Sequence, residues 1–310
     1  MKILVSGALA FDKIMNFPDR FADHILPDKI HVLSVCFAVD KFEVNFGGTA
    51  GNIAYNLALL GEKPVILAGA GNDFSRYKKW LLKHKIDLSG VKIVKNYPTA
   101  SAHIITDRDD NQITAYHPGA DGVSISNKDK NFNNAEIAII SPGQIDDMIK
   151  RAKKFKKNNI SYIFDPGQQI PIFTKNQMLT CLTGAKVFIS NDYEFSTTLK
   201  KSGLTKDKLK KKIEILVTTL GEKGSVIEVK NRIYKIPPAK PKNTSDPTGA
   251  GDAYRAGFIK GMVSNMPFEK IGRLAGLVSV YTVEKYGTQT HKFTYKELQR
   301  RYKQNFKEAL

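Results

Sequence analysis

The sequence has little cysteine and no apolar stretch long enough to cross a membrane. Its 310 residues include two cysteines, Cys36 and Cys181, which stand apart in apolar surroundings without metal-ligand spacing. We expect both to be reduced and structural, as in a reducing compartment. No apolar run approaches the roughly 20 residues of a membrane-spanning helix. These absences predict a cytoplasmic protein without a membrane partner.

Several common motifs for nucleotides, metals and acyl transfer are also missing. There is no G-x-x-x-x-G-K-[ST] loop, no H-E-x-x-H and no G-x-S-x-G. The stretch GAGDAY fails the dinucleotide fingerprint because Tyr254 stands at its last glycine position. If the chain binds phosphate, another element must provide the contacts.

The N-terminal stretch MKILVSGALAFDKI imitates a signal peptide, with Lys2 followed by a short apolar run. Asp12 interrupts that run, and no polar mature start follows it. A strand followed by a turn fits these residues better than a secretion signal.

Positive charge is abundant, since 48 Lys and Arg against 30 Asp and Glu give a formal net charge of +18. The lysines cluster in residues 149–159 and 206–216, where Ala152, Phe155 and Leu209 mark the apolar sides of predicted amphipathic helices. Such lysines are typical of solvated helix faces, and no zinc-finger spacing or aromatic RNA-binding signature accompanies them. We therefore predict no nucleic-acid partner; a steep loss of DNA affinity with salt would mark the opposite case.

Short β-branched runs alternate with helical segments over most of the chain. Each run ends in small or polar residues before a helix-like stretch, which predicts a parallel sheet wrapped by helices. In such sheets, ligands lie beyond the carboxyl ends of the strands. The strand candidates are KILVSG, KPVILAG, AEIAIIS, SYIFDP, KVFISN and EILVTTLG.

Two segments break this rhythm. Residues 13–46 and 97–119 alternate apolar and polar residues, with a turn at DRDDNQ and no helix between the strands. They predict a small separate sheet inserted near the N-terminus. With no repeats and no low-complexity tract, residues 1–310 are predicted to form a single α/β domain that carries this sheet.

The stretch DPTGAGDAYRAGF combines a turn, small residues and an acid at a predicted helix start. Unpaired backbone N–H groups and the helix dipole at such a start make an anion site. Gly249, Ala250 and Gly251 would let an oxygen-rich group approach the backbone closely. Asp252 would lie beside that anion, able to accept a proton. A simple helix cap also accounts for Asp252, but leaves the Gly-Ala-Gly run without a purpose.

Two signatures together resemble one enzyme family. DPTGAGDAYRAGF is similar to the C-terminal signature of the ribokinase-like, or PfkB-type, kinases of sugars and nucleosides, and FGGTAGNIAYNLALLG (46–61) is similar to their N-terminal signature. The signatures stand in the family's order with its other landmarks between them, so the resemblance covers essentially the whole chain. It implies a three-layer α/β/α fold with a mostly parallel sheet and a small β-sheet lid. It also implies a phosphotransferase with an alcohol acceptor.

The resemblance assigns the phosphoryl-transfer machinery to the C-terminal signature. Asp252 matches the catalytic base, and the N–H groups around Gly249, Ala250 and Gly251 match the anion hole for the phosphate in flight. The preceding loop, with Asp246, resembles the potassium-binding region of some members. K⁺ is therefore a candidate cofactor.

Substrate contacts are implied at the other end of the site. Asp12, just after the first strand, is similar to the family acid that grips substrate hydroxyls, helped by Gly48 and Asn52. An ionised carboxylate that accepts two neighbouring O–H bonds suits a ribose. A helix cap is the alternative for Asn52.

ATP contacts are implied in two further segments. NDYE (191–194) matches the family's N-x-x-E, in which Asn191 and Glu194 help to place Mg²⁺ and the phosphates of ATP, largely through water. TTLGEKG (218–224) is similar to the loop that meets the nucleotide, with Thr219 and Gly221 as expected contacts and a plain strand end as the alternative. The sequence departs from many members in RLAGLVSV, at Ala275-Gly276, where a late-helix asparagine is common, so the adenine contacts are less specified than the phosphate contacts.

The small sheet matches the lid that this family places over its substrate, where closure excludes water. One or more of its aromatic side chains could stack on a purine, although strand aromatics more often belong to a core. These side chains are Phe37, Phe42, Phe46, Tyr116 and His117. The resemblance leaves open a monomer or a homodimer formed through the lids.

The combination of FGGTAGN, FDPGQQ (164–169) and DAYRAGF most resembles prokaryotic nucleoside kinases, adenosine kinases in particular. The expected reaction is transfer of the γ-phosphate of ATP to the 5′-hydroxyl of adenosine, giving AMP, as in purine salvage. A ribokinase-like sugar kinase acting on ribose or fructose is the alternative enzyme. A non-enzymatic nucleotide-binding or nucleic-acid-binding protein is the alternative of a different class, and it would not need Asp252, Asn191 and Glu194 together.

Overall fold

The computed structural model describes residues 2–109, 111–128 and 134–310. The strands are β1 (Lys2–Ser6), β2 (Ala10–Asn16), β3 (Lys41–Gly47), β4 (Pro64–Leu67), β5 (Gly69–Ala70), β6 (Lys92–Ile93), β7 (Ala100–Thr106), β8 (Gln112–His117), β9 (Ala135–Ile140), β10 (Ser161–Phe164), β11 (Val187–Asn191), β12 (Ile215–Thr219), β13 (Ser225–Val229) and β14 (Arg232–Ile236). The helices are α1 (Phe21–His24), α2 (Thr49–Leu59), α3 (Ser75–Lys83), α4 (Ile145–Lys157), α5 (Lys175–Leu182), α6 (Asp192–Ser202), α7 (Lys206–Lys210), α8 (Ala250–Val263), α9 (Phe268–Val283) and α10 (Tyr295–Phe306).

A large sheet contains eight strands in the order β14-β13-β12-β11-β10-β9-β1-β4. The strands from β12 to β4 run parallel, and all six are those predicted from the sequence. Beyond β12, β13 and β14 extend the edge as an antiparallel hairpin that the sequence reading missed. In the turn between β13 and β14, Lys230 adopts a positive φ of 52°. A lysine at such a position predicts a turn less clearly than a glycine does.

Helices cover both faces of the large sheet. Ile3 and Val5 of β1 pack into one buried cluster with Phe258 of α8, while Leu4 packs into a second cluster with Phe155 of α4. This alternation follows from the two-residue period of a strand. The three-layer α/β/α arrangement is therefore confirmed.

A small separate sheet has the strand order β3-β2-β7-β8. Its central pair β2 and β7 is parallel, and the two outer pairs are antiparallel. Strand β2 starts at Ala10 and β3 ends at Gly47, so both extend beyond the predicted segment 13–46. In the β7–β8 turn, Asp107 accepts backbone N–H bonds from Asp109 and Asn111; Asp110 of this predicted turn lies outside the described residues.

The segment between β2 and β3 differs from the predicted continuous strands. Residues 17–40 contain the short helix α1 and a 3₁₀ turn at Pro27–Val32. Pro18 and Pro27 lack the backbone donors that a sheet ladder needs. Cys36 in this segment is exposed, so the expectation of a structural role was wrong for it, whereas Cys181 is buried as expected.

The two lysine-rich segments differ in structure. The first forms most of α4, with Ala152 and Phe155 buried. The second forms a helix only over Lys206–Lys210, because the apolar residues from Ile215 onward enter strand β12. The prediction of helix through residue 216 was therefore wrong. Among the described residues, no helix has the length and apolar content needed to cross a membrane.

Candidate active site

Helix α8 begins at the predicted anion site. Gly249 caps it in the left-handed conformation, with φ of 78°, and an added Cβ there would lie 2.9 Å from Thr288 Cγ2. The N–H of Ala250 is already used in the turn, where it donates to the carbonyl of Pro247 at 3.1 Å. Within the described chain, the N–H groups of Gly251 and Asp252 have no hydrogen-bond acceptor. They are free to face an anion at the positive end of this helix.

Asp252 lies in the first turn of α8 and is half-buried. Its Oδ2 accepts a hydrogen bond of 2.8 Å from Nδ2 of Asn52 in helix α2. The pKa of Asp252 is raised to about 7, chiefly by burial. The Asn52 hydrogen bond and the charge of Arg255 lower this pKa, and the charges of Asp165 and Asp12 raise it. A carboxylic acid with a pKa near neutrality can accept a proton at physiological pH and release it again.

A buried ion pair lies directly behind Asp252. Arg255, one helical turn further along α8, donates from Nε and Nη2 to the two carboxylate oxygens of Asp165, each at 2.9 Å. Its Nη2 is also 4.0 Å from Oε2 of Glu194. Burial and the charge of Asp165 raise the pKa of Glu194. Arg255 therefore places a fixed positive charge beneath the start of α8. The sequence reading quoted this arginine and this aspartate but gave neither a role.

The predicted motif N-x-x-E forms a capping box at the start of α6. Asn191 Oδ1 accepts the N–H of Glu194 at 2.7 Å, and Glu194 Oε2 accepts the N–H of Asn191 at 2.8 Å. The other carboxylate oxygen of Glu194 accepts no hydrogen bond from the described residues. The two residues are thus fixed together at the carboxyl end of β11, and one oxygen ligand remains available.

Asp12 lies on β2, where the small sheet meets the rest of the molecule. Its carboxylate is stacked over Gly47, so that a Cβ on Gly47 would lie 2.1 Å from Asp12 Oδ2. Among the described residues, no side chain or backbone N–H donates to this carboxylate. Burial, together with the charge of Asp246, raises the pKa of Asp12 to about 7. The carboxylate is available to accept hydrogen bonds from a bound molecule.

Two clefts meet at the loop before α8. The first has a volume of about 510 Å³ and extends from Asp12 along the small sheet past Ile14 and Ile104. The second has a volume of about 520 Å³ and includes Thr219, Gly221, Ala250 and Gly251 among its walls. Both clefts are bounded by Thr244 and Pro247 of the same loop. The helix start therefore lies where two bound molecules could meet.

One wall of the second cleft is a face of α9 with small side chains. Gly272, Gly276 and Ser279 line it. The family departure at Ala275-Gly276 is therefore divided: Gly276 lines the cleft, whereas Ala275 is buried in the core, with its backbone 2.6 Å from a Cβ built on Gly257. The small residues leave room for a planar group beside the helix.

The predicted substrate contacts Gly48 and Asn52 lie at the start of α2. Gly48 has φ of 84°, and an added Cβ would lie 2.6 Å from the backbone of Ala8 and Ala10. Asn52 is in the helix interior rather than at the cap. Its side chain is hydrogen-bonded to Asp252 and Gln289, and it does not line the Asp12 cleft. Its contact with Asp252 was not foreseen, because the two residues are 200 positions apart.

The five predicted lid aromatics have other surroundings. Phe37 packs against Phe17 and Phe21, and Phe46 stacks on Tyr77 with ring centroids 4.6 Å apart. The remaining three, Phe42, Tyr116 and His117, are exposed to solvent. None of the five lines either cleft. Aliphatic, hydroxyl and amide side chains of the small sheet line the cleft beside Asp12, together with the aromatic Tyr286, which follows α9.

Comparison with known proteins gives consistent matches over nearly the whole chain. Residues 9–294 match the family model described as pfkB family carbohydrate kinase. A nucleoside kinase of Methanocaldococcus jannaschii is 34% identical over 292 residues, which cover 94% of this chain and 93% of that protein.

Solved structures agree with this match. The crystal structure of a Methanocaldococcus jannaschii nucleoside kinase has a TM-score of 0.89 at 31% identity, covering 98% of each chain. The nucleoside kinase of Burkholderia thailandensis in complex with inosine has a TM-score of 0.88 at 31% identity, covering 99% of each chain. The chain therefore belongs to the PfkB family of carbohydrate kinases and is a phosphotransferase with an alcohol acceptor.

Proposed function

We propose that this protein transfers the γ-phosphate of ATP to the 5′-hydroxyl of a nucleoside, with adenosine as the predicted acceptor and AMP as the product. The observation that carries the proposal is the position of Asp252. It is an acid with a pKa of about 7 at the start of a helix where two clefts meet. The similarity to two nucleoside kinases, one of them in complex with inosine, supports a nucleoside as the acceptor.

The acceptor would bind in the cleft beside Asp12. The unpartnered carboxylate of Asp12 is suited to accept hydrogen bonds from two neighbouring hydroxyls of a ribose. Further along the cleft, Ile14 and Ile104 offer apolar walls and Gln112 offers an amide that can donate and accept. A free pentose would leave these walls uncovered, whereas a base attached to the ribose would contact them.

The donor would bind in the second cleft with its phosphates toward α8. We propose that Thr219 and Gly221 contact the nucleotide, and that its adenine lies against the small residues of α9. The backbone at Gly249, Ala250 and Gly251 is the proposed anion hole. Because the Ala250 N–H is used in the turn, the N–H groups of Gly251 and Asp252 are the donors best placed to serve it.

The chemical step needs a proton acceptor and stabilisation of charge. As the acceptor's 5′-oxygen forms its bond to the γ-phosphorus, its proton passes to Asp252 and the bond between the γ-phosphorus and the bridging oxygen breaks, releasing ADP. Charge on the transferring phosphoryl group is stabilised by the free N–H groups at the helix start and by the helix dipole. Arg255, fixed by Asp165, adds positive charge nearby.

A divalent cation fits the residues that are present. Mg²⁺ commonly binds one or two carboxylates, several waters and substrate phosphates, so the free carboxylate oxygen of Glu194 suffices as its protein ligand. The described residues contain no cluster of three or more acidic, His or Cys side chains that would hold a metal by itself. When bound, Mg²⁺ would neutralise charge on the phosphates of ATP.

Potassium binding stays a prediction. The carboxylate of Asp246 accepts N–H bonds from Thr248 at 2.9 Å and from Gly287 at 3.1 Å. It thereby fixes the loop before α8 against the segment that follows α9. A monomer or a dimer formed through the small sheets, and a cytoplasmic location, also stay predictions.

An acceptor screen tests the proposed function. ATP consumption is measured with adenosine, inosine, cytidine, ribose and fructose 6-phosphate, and 5′-deoxyadenosine serves as the matched control because it lacks only the accepting hydroxyl. We expect the highest rate with adenosine and no transfer to 5′-deoxyadenosine. A preference for inosine or cytidine would overturn adenosine and keep the nucleoside; activity on free sugars alone would overturn the nucleoside as acceptor.

A further inference from the structure

A chain of buried and half-buried side chains leads to Asp252. Nε1 of Trp80 donates to Oε1 of Gln289 at 3.0 Å. Nε2 of Gln289 donates to Oδ1 of Asn52 at 3.0 Å and to the hydroxyl of Tyr77 at 2.6 Å. Nδ2 of Asn52 then donates to Asp252 at 2.8 Å. We call Trp80, Gln289, Tyr77 and Asn52 the amide relay.

The direction of every hydrogen bond in the amide relay follows from its first member. An indole N–H can only donate, so it fixes the carbonyl end of Gln289 toward Trp80. The amide end of Gln289 must then face Asn52, which fixes the carbonyl end of Asn52 toward Gln289. The amide end of Asn52 is left facing Asp252. Reversal of either amide would bring two acceptors together.

Water cannot readily replace a missing member of the amide relay. Asn52 is 4% exposed, Gln289 3% and Tyr77 0%. The relay is also anchored at its second end, where the hydroxyl of Tyr77 donates to the carbonyl of Gly47 at 2.8 Å. Gly47 ends strand β3 and lies against Asp12, so the anchor belongs to the junction with the small sheet.

We propose that Gln289 is a positioning residue for the reaction, because it holds the Asn52 amide in the orientation that donates to Asp252 and so keeps that carboxylate aimed and ionised. The inference rests on the proposed function, in which Asp252 takes the acceptor's proton. Gln289 itself need not touch either substrate.

Other charges around Asp252 stay in place when Gln289 is changed. Arg255 lies on the same helix and lowers the pKa of Asp252. Asp165, which follows β10, and Asp12, which lies on β2, raise it. The Asn52 hydrogen bond also lowers this pKa. Weakening that bond therefore raises the pKa of Asp252, and a larger fraction of the enzyme is protonated and inactive at a given pH.

The test is the pH dependence of kcat for Gln289→Met, which keeps the length of the side chain and removes its polar ends. With saturating ATP and adenosine, kcat should rise with pH. We expect this rising limb of the pH profile to lie about one pH unit higher in Gln289→Met than in the wild-type protein. At pH values below the limb, kcat of the variant is then about tenfold lower than that of the wild type, and well above the limb the two are equal. ATP titrates identically in both assays, so the difference between the two limbs reports the protein.

Gln289→Glu is a second variant of nearly the same shape. Its carboxylate can accept from Trp80 but cannot donate to Asn52, so Asn52 must turn its carbonyl toward Asp252. We expect a larger upward movement of the limb than for Gln289→Met. The matched control is Tyr55→Phe, which removes a buried hydrogen bond of 2.6 Å to the carbonyl of His291. It keeps the ring that stacks on Trp80, so no hydrogen bond of the amide relay is lost. It should lower the melting temperature and leave the limb in place.

Three outcomes separate the possibilities. Movement of the limb in the Gln289 variants, but not in Tyr55→Phe, supports the positioning role. An unmoved limb in folded Gln289→Met and Gln289→Glu overturns it. Asp252→Asn is assayed in parallel. If this variant is inactive while the limb of the Gln289 variants stays in place, only the positioning role fails. Near-normal activity of Asp252→Asn overturns the proposed function itself.

Discussion

The large and the small sheet contribute to the same site but are built differently. The large sheet is covered by helices on both faces, and its parallel strands are almost wholly buried. The small sheet exposes Phe42 of β3 and the whole of strand β8. Asp252, Asn191 and Glu194, the proposed phosphoryl-transfer groups, are attached to the first, while Asp12, the proposed acceptor contact, lies on the second. In the proposed function, the more buried part of the molecule therefore holds the chemistry, and the more exposed part faces the acceptor.

This difference agrees with what each half of the reaction requires. Transfer of a phosphoryl group depends on charges and donors held in fixed positions, which a packed core provides. Acceptor binding requires a surface that can open and close, and a sheet with solvent-exposed strands has less packing to hold it in one position. The amide relay crosses the boundary, because it joins Asp252 to the carbonyl of Gly47.

The largest expected effect is on the chemistry held by the large sheet. Asp252→Asn removes the proton acceptor and keeps the shape of the side chain, so we expect kcat to fall by about a thousandfold. Adenosine affinity, measured by calorimetry, should change little. Asp207→Asn is the matched control, since Asp207 is also an acid in a first helical turn but belongs to another helix, α7. Near-normal turnover of Asp252→Asn would remove it as the base.

The two sheets should also differ in their contribution to stability. Ile139 on β9 is 0% exposed, so Ile139→Ala should lower the free energy of unfolding by about 2 to 5 kcal/mol. Ile113 on β8 is 41% exposed, so Ile113→Ala should change it by no more than about 0.5 kcal/mol. Denaturant titration measures both. Equal losses would contradict the contrast between a packed sheet and an exposed one.

The smallest of these effects concerns acceptor binding at the small sheet. Asp12→Ala removes an acceptor of ribose hydroxyl bonds, so we expect KM for adenosine to rise by about 10- to 100-fold, while kcat falls much less than in Asp252→Asn. Asp40→Ala, which removes an exposed acid next to β3, is the control and should leave KM unchanged. An unchanged KM in Asp12→Ala would argue against ribose recognition by this residue.

The sequence predicted the large sheet better than the small one for a physical reason. Buried parallel strands read as short apolar runs that end in small or polar residues, and KILVSG, AEIAIIS and KVFISN show this directly. The segment at residues 17–40 also alternates apolar and polar residues, but Pro18 and Pro27 and its exposure prevent a continued strand. The β13–β14 hairpin lacked a strong turn signal.

The site was predictable in its residues but not in its contacts. Asp252 and Asn52 were named because each belongs to a short signature, and Asp12 was named because it follows the first strand. No local pattern linked Asn52 to Asp252 or to Gln289, since these partners are 200 and 237 positions away along the chain. Burial by the surrounding fold, which raises the pKa of Asp252, is likewise absent from a local sequence pattern.

The most direct test of the account is the pH dependence of kcat in the wild-type protein and in Asp252→Asn, with saturating ATP and adenosine. Burial raises the pKa of Asp252 to about 7, and only its ionised form can take the acceptor's proton, so wild-type kcat should rise with pH through a limb near 7. The residual rate of Asp252→Asn should lack that limb. The same limb in both proteins would assign it to ATP or to another group, and would contradict Asp252 as the base.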